Sequence, residues 1–146
     1  MKLIIPNVSE NTKYVSKLNK KICNKLREYS SVHINSTENS IPYTINFSLR
    51  GIKPETFVHA LDENEIYIST KSACSGANSM SNSVYALTKD KELSNGSLRI
   101  SLSYMTTEEE IDKFLLVFDS PDVICIFFDC TIGQTDYIKL WLCQSR

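Results

Sequence analysis

Cys74 is the residue whose surroundings best suit chemistry at a sulfur atom. It lies in residues 69–83, a stretch rich in serine, asparagine and glycine that predicts an exposed loop. Cys23 lies on the apolar side of a predicted helix and Cys125 lies inside an apolar run. Cysteines in such apolar settings usually behave as small hydrophobic residues. Composition leaves two interpretations of Cys74: a reactive thiol or an ordinary surface cysteine.

Arg99 is the second candidate, because it alternates with apolar residues on a predicted strand. Those neighbours are Leu98, Ile100 and Leu102. Since they would be buried, Arg99 would project from the opposite face of the strand. A guanidinium held on a rigid strand suits two-point binding of a carboxylate. The alternative is a surface arginine that pairs with a nearby acid.

The cysteines and histidines do not have the spacing of a metal site. The five cysteines are irregularly spaced, no Cys-x-x-Cys pair occurs, and neither His33 nor His59 lies near a cysteine in the sequence. We therefore predict that no metal ion is bound. With an odd number of cysteines and no export signal, we expect free thiols and a cytoplasmic location.

Short strands and helices must position the two candidates. Helical spacing of apolar residues predicts a helix over residues 8–29 with Asn7 as its N-cap, and a capping box at Thr107 begins another over residues 107–118. Strands are predicted at residues 32–34, 43–49, 66–68 and 98–102, and short helices after Pro54 and from Val84. The pattern predicts an α/β fold of the α+β type, in which a small, mostly antiparallel sheet carries helices on one face.

Two further stretches allow more than one interpretation. One face of the helix over residues 8–29 is basic, and we interpret it as a solvated surface rather than a partner site. Residues 119–146 contain apolar runs at 123–128 and 137–143. These runs predict either two buried strands or an apolar tail without a role in this chain.

Composition limits the class of protein. The chain has 146 residues, of which 42% are hydrophobic, and these values fit a soluble globular protein rather than a disordered one. The formal net charge of -1 argues against nucleic-acid binding, which usually requires a basic surface. The apolar run at residues 123–128 is too short to cross a membrane, so we expect no membrane partner.

Three segments resemble bacterial cysteine desulfurases and occur in the order of that family. Residues 66–75, Ile-Tyr-Ile-Ser-Thr-Lys-Ser-Ala-Cys-Ser, are similar to the loop that carries the active cysteine. Residues 97–103, followed by Thr-Thr-Glu-Glu-Glu-Ile-Asp at 106–112, are similar to the arginine strand and final helix. Residues 43–51 resemble the strand before the small-domain helix. The resemblance extends over about residues 9–118.

The resemblance implies a class V aminotransferase that depends on pyridoxal phosphate and shares the fold of aspartate aminotransferase. Residues 1–118 would correspond to its C-terminal small domain. Residues 119–146 would be an apolar tail that does not resemble the family and that could pack on the same domain. In this family the loop cysteine, here Cys74, attacks the sulfur of L-cysteine as a thiolate. Alanine and a protein persulfide result, and the sulfur passes to acceptor proteins, as in iron–sulfur cluster assembly. Arg99 matches the arginine that binds the substrate carboxylate, and family members are homodimers.

The sequence also departs from the family pattern. The family's lysine lies in a His-Lys dipeptide of the large domain, whereas here His33 precedes Ile34 and His59 precedes Ala60. We therefore expect no cofactor-binding residue in this chain, no pyridoxal phosphate bound to it, and no desulfurase activity from it alone. Lys71 also stands where the family usually has glycine.

Other functions are compatible with the same residues. The chain could act as a standalone persulfide carrier that another protein loads, or as a non-catalytic interaction domain that pairs with a separate large domain. A relative that uses selenocysteine is a further alternative. An ordinary aminotransferase of this fold is disfavoured, because it has no need of a cysteine at position 74.

Overall fold

The computed structural model describes residues 7–37, 39–70 and 80–120, together with Val123. Within these residues the elements are α1 (Val8–Leu26), β1 (Val32–Ile34), β2 (Thr44–Leu49), α2 (Pro54–Asp62), α3 (Asn82–Thr88), α4 (Lys91–Asn95), β3 (Ser97–Ser101) and α5 (Glu108–Phe118). The strands form an antiparallel sheet in the order β1-β2-β3. The predicted fold class, a small antiparallel sheet with helices, is confirmed.

The side chains of the central strand β2 alternate between an apolar face and a polar face of the sheet. Ile45, Phe47 and Leu49 are buried on the apolar face, as their alternation predicts. Helices α1 and α5 cover that face with fully or nearly fully buried side chains, among them Leu18, Ile22, Phe114 and Phe118. Burial of each such side chain contributes about 1.5–3 kcal/mol, so this face holds the core.

Helix α1 ends three residues earlier than the sequence predicts. The amide of Glu28 donates to the carbonyl of Lys25, and the amide of Tyr29 donates to that of Leu26. These bonds span three residues rather than four, which is the pattern of a tightening last turn. The Tyr29 ring nevertheless packs on Phe118, with centroids 4.9 Å apart, so its apolar periodicity reflects burial after the helix end. The Asn7 side chain makes no capping hydrogen bond, contrary to its predicted role.

Helix α5 begins as predicted. Thr107 and Glu110 form the capping box, in which each side chain accepts a hydrogen bond from the backbone amide of the other residue. Three ion pairs then join the basic side of α1 to this region: Lys17 to Glu108, Lys21 to Asp112 and Lys25 to Asp119. All are at least partly exposed, so each adds little to stability.

The predicted strand at residues 66–68 is wrong. Glu65 has φ 60°, a left-handed conformation, and the amide of Ile66 still donates to the carbonyl of Leu61. The hydrogen bond that ends α2 therefore uses Ile66, the first residue of the predicted strand. Pairing with the sheet is limited to one bridge, at Ser69.

Helix α4 was not predicted, although its limits have recognisable signals. Asp90 caps it by accepting hydrogen bonds from the amides of Glu92 and Leu93, and Gly96 follows its last residue. Gly96 also lies directly against β2, and its carbonyl accepts from the amide of Leu49 at 3.0 Å. A Cβ atom at this position would collide with the carbonyl oxygen of Leu49.

Several predictions fall on residues outside the described part of the chain. These include the conformation of residues 71–79 and most of the segment 119–146. Within that segment Val123 is fully buried in the core. In the described part of the chain, no helix is both long enough and apolar enough to cross a bilayer.

Candidate functional site

The polar face of the sheet carries a hydrogen-bonded network. The Asn35 amide nitrogen donates to Asn46 Oδ1 and to Ser48 Oγ, both at 2.7 Å. Asn46 Nδ2 donates to Ser97 Oγ at 3.2 Å, and Ser48 Oγ donates to the carbonyl of Leu93 at 2.7 Å. Because Ser48 and Ser97 are buried, these bonds fix the face between β2, β3 and α4.

One atom of this network has no partner among the described residues. Asn35 is 8% exposed, and its Oδ1 atom is buried without a hydrogen bond. A buried acceptor without a donor costs about 1–3 kcal/mol.

Arg99 lies on the same polar face, next to this network. It is the cross-strand partner of Asn46 in the pairing of β2 with β3. Its side chain is exposed, while Leu98 and Ile100 on either side are buried, so the predicted orientation is confirmed. Among the described residues no carboxylate pairs with Arg99.

The backbone joins Arg99 to the start of the cysteine loop. The amide of Arg99 donates to the carbonyl of Ser69 at 2.7 Å, and the amide of Ser69 donates back at 3.0 Å. Ser69 precedes Cys74 by five residues. Five extended residues span at most about 18 Å, so this bridge limits how far the thiol can lie from the arginine strand.

The other end of the same segment is also anchored. The amide of Ser81 donates to the carbonyl of Ser94 in α4 at 2.9 Å, and Ser81 Oγ caps α3. Cys74 itself lies outside the described residues, so its reactivity and its proposed role remain predictions. The described loop ends show which elements carry it: β3 at one side and α4 at the other.

Cys23 provides a contrast within the same chain. Its Sγ atom is buried and donates to Asn19 Oδ1 at 3.4 Å. Burial raises the pKa of the Cys23 thiol, and the nearby Arg27 charge only partly opposes that shift. A thiol of this kind is a poor nucleophile near neutral pH, in agreement with its predicted structural role.

The described residues do not fit a pyridoxal phosphate site. His33 is exposed on the edge strand β1 and His59 is exposed on α2. Neither is followed by lysine. The aldehyde-binding lysine and the ring contacts of such a site would have to come from outside these residues. The described residues also contain no cluster of three potential metal ligands.

Comparison with known proteins agrees with the motifs at this site. The family model for class-V aminotransferases matches residues 4–114. The chain belongs to the class-V aminotransferase family. The matched residues include Cys74 and both residues of the bridge, Ser69 and Arg99.

Several relatives within this family carry desulfurase names. The chain is 30% identical over 121 residues to a NifS/IcsS protein homolog of Lactobacillus delbrueckii subsp. bulgaricus, covering 81% of this chain and 31% of that protein. It is 38% identical over 100 residues to the cysteine desulfurase IscS of Clostridium botulinum, covering 68% and 25% respectively. A solved NifS-like protein from Rickettsia africae is 26% identical, with a TM-score of 0.65 over 78% of this chain and 29% of that one. The chain therefore spans about a third or less of the length of these relatives.

Sequence reasoning predicted the exposed position of Arg99 but missed the residues around it. The alternation of β2 already places Asn46 and Ser48 on the face opposite Phe47. Nothing in the sequence states which residue of β3 lies beside Asn46, or that Ser69 pairs with Arg99, because register depends on the packed sheet. The available signal was the alternation of polar Asn46 and Ser48 with apolar residues along β2.

Proposed function

We propose that this chain supplies the cysteine-bearing small domain of a cysteine desulfurase, with residues 1–118 as that domain. The observation that carries the proposal is the two-bond bridge between Ser69 and Arg99. It connects the start of the Cys74 loop to the strand of the candidate carboxylate-binding residue. Residues 119–146 would be a tail outside the family-like part that packs on the same domain.

Each candidate residue then has a separate role. Cys74 would act as the nucleophile toward the sulfur of L-cysteine and would hold that sulfur as a persulfide for an acceptor protein. Backbone hydrogen bonds of Ser69 and Ser81 hold the two ends of the segment that carries Cys74. Arg99 would bind the carboxylate of L-cysteine, since it is exposed, rigidly mounted and without a described acidic partner.

The same proposal assigns the cofactor to residues outside this chain. The family resemblance points to pyridoxal phosphate, whereas the described histidines and the absence of a His-Lys dipeptide do not fit its binding. We therefore expect the chain alone to be catalytically incomplete and to act with a large domain, as part of a dimeric cytoplasmic enzyme that serves iron–sulfur cluster assembly.

Reconstitution tests this proposal. The complete chain is mixed with pyridoxal phosphate, L-cysteine and the separately produced large domain of the Clostridium botulinum relative, and alanine is measured. We expect alanine only when both parts are present and no alanine with Cys74→Ser. The matched Cys23→Ser variant should remain active, because that thiol is buried on α1.

Arg99 is tested in the same mixture. Arg99→Gln should raise the KM for L-cysteine, because it removes a contact to the bound substrate. Alanine production by the chain without a large domain would contradict the proposed incompleteness. A Cys74→Ser variant that still forms the persulfide would contradict the role of this residue.

Mass spectrometry of the chain separates this function from that of a carrier. If a complete desulfurase and L-cysteine load one sulfur onto Cys74, and the chain never supports alanine formation with a large domain, the chain is a persulfide carrier instead.

A further inference from the structure

A groove lies between β3, α5 and the segment over residues 65–68, and its volume is about 360 Å³. Four of the described residues that line it are apolar and buried: Ile22, Leu102, Ile111 and Phe114. Ile66 and Ile68 line it with apolar side chains that are only partly buried. We call this feature the β3 groove.

The charged residues that line the β3 groove are exposed and have partners within the domain. Lys113 forms an ion pair with Glu65 at 3.3 Å. Glu110 accepts the hydrogen bond of the capping box from the amide of Thr107. The groove therefore combines an apolar interior with a rim of paired charges, which suits an apolar occupant better than a charged one.

The groove begins where the chain separates from the outer edge of β3. This strand is at one end of the sheet, and Ser69 pairs with Arg99 on its outer side. Backbone groups of residues two apart on a strand point to the same side, so the amide and carbonyl of Ser101 also point outward, opposite Tyr67. Within the described residues the pairing does not continue to Ser101 and Tyr67, although both line the groove. A strand edge of this kind can pair with an added extended segment.

The chain that follows α5 returns to the domain. Val123 is fully buried, and it belongs to the same core cluster as Phe114, which lines the groove. The first apolar run, residues 123–128, therefore begins in the core. About fifteen residues connect Val123 to the middle of the second run, and fifteen extended residues can span about 50 Å, so the second run can reach the groove.

The second apolar run, residues 137–143, has the alternation of a strand with one aliphatic face. Its aliphatic residues are separated by residues of other types: Ile138, Leu140 and Leu142 alternate with Tyr137, Lys139 and Trp141. Successive side chains of a strand point to opposite sides, so the three aliphatic residues would share one side. That side matches the apolar lining of the groove, and the backbone of the run offers donors and acceptors to the edge of β3.

We propose that residues 137–143 bind in the β3 groove as an extended segment along the outer edge of β3. The aliphatic face of the run contacts the apolar lining, and its backbone forms hydrogen bonds with Ser101. The inference rests on one part of the proposed function, the packing of the tail on the same domain, and gives that packing a position. It does not depend on the desulfurase chemistry.

Hydrogen exchange of the complete chain, measured by mass spectrometry, tests this position. The double variant Ile138→Ser, Leu140→Ser removes most of the aliphatic face. We expect amides in residues 65–69 and 100–103 to exchange at least about tenfold faster in this variant than in the unchanged chain, because the segment no longer protects them. The matched control Tyr137→Ser, Lys139→Ser alters the other face of the same run and should keep exchange within about twofold. Exchange in α1 should be the same in all three proteins, which checks that each remains folded.

Trp141 gives an independent measurement, because it is the single tryptophan of the chain. Its fluorescence should be quenched less by acrylamide in the unchanged chain and in the control than in Ile138→Ser, Leu140→Ser. Equal exchange and equal quenching in the three proteins would show that the run lies elsewhere and would overturn the proposal. Protection that appears only at concentrations where the chain dimerises would assign the groove to a second copy and would also overturn it. No cofactor or substrate is added, so either failure leaves the desulfurase proposal unaffected.

Discussion

Gly96→Ala tests the close approach of Gly96, the residue between α4 and β3, to Leu49 of β2. The φ of Gly96 is -82°, which alanine adopts without strain, so any penalty comes from contact rather than from backbone conformation. The added Cβ meets the carbonyl oxygen of Leu49, a backbone atom that cannot rotate away as a side chain would. The hydrogen bond from the Leu49 amide to the Gly96 carbonyl, at 3.0 Å, holds the two strands at this distance.

The magnitude follows from these contacts. Overpacking in a well-packed region costs typically about 1–3 kcal/mol, and a collision with fixed backbone belongs at the upper end of that range. A loss of about 3 kcal/mol would lower the midpoint of thermal unfolding by about 10 °C in a domain of this size. Relief of the collision would also stretch the bond between Leu49 and Gly96 at the start of the β2–β3 pairing.

Circular dichroism during heating measures this effect directly. The matched control is Asn95→Ala, one residue earlier and exposed, for which we expect a change within about 0.5 kcal/mol. If Gly96→Ala unfolds at the same temperature as this control, the strands can separate at little cost and the reasoning is refuted.

Four further substitutions test other features of the fold. Thr107→Ala should cost about 1 kcal/mol in unfolding free energy, because it removes the capping box of α5; an unchanged unfolding midpoint would contradict this. Ser48→Ala should lower the free energy of unfolding by about 1–3 kcal/mol, because the buried hydroxyl hydrogen-bonds with both Asn35 and the carbonyl of Leu93. Arg99 is exposed, so Arg99→Ala should change the free energy of unfolding by no more than about 0.5 kcal/mol. Lys17 lowers the pKa of Glu108 by hydrogen bonding and by its charge, so the pair stabilises the fold above the ordinary Glu pKa of 4.5 and loses this contribution as the pH falls through the lowered value. Unfolding midpoints of Lys17→Gln and the unchanged protein should therefore converge in acid, and a constant difference at all pH values would contradict the assignment.

Much of the fold follows from local patterns in the sequence. The alternation of Ile45, Phe47 and Leu49 predicts both β2 and its buried face, and the capping box locates the start of α5 within one residue. These signals depend on side-chain periodicity and on contacts between near neighbours, both of which can be read from the chain.

The errors have a common physical origin. The β-branched and aromatic residues at 66–68 favour a strand, but the end of α2 occupies the start of this segment and pairing with β3 is limited to the bridge at Ser69. Arg99 could be assigned to the exposed face by alternation, whereas its neighbours Asn46 and Ser69 depend on strand register. Register is a property of the packed sheet and has no short-range signal in this sequence.

The bridge between Ser69 and Arg99 consists of main-chain atoms alone, and this affects how the site can change over generations. Side-chain substitutions at either position leave the two hydrogen bonds in place, since every residue except proline retains an amide hydrogen. The distance between the loop and the arginine strand is thus protected against most mutations. Side chains of the residues that follow Ser69 can therefore change without removing these two hydrogen bonds.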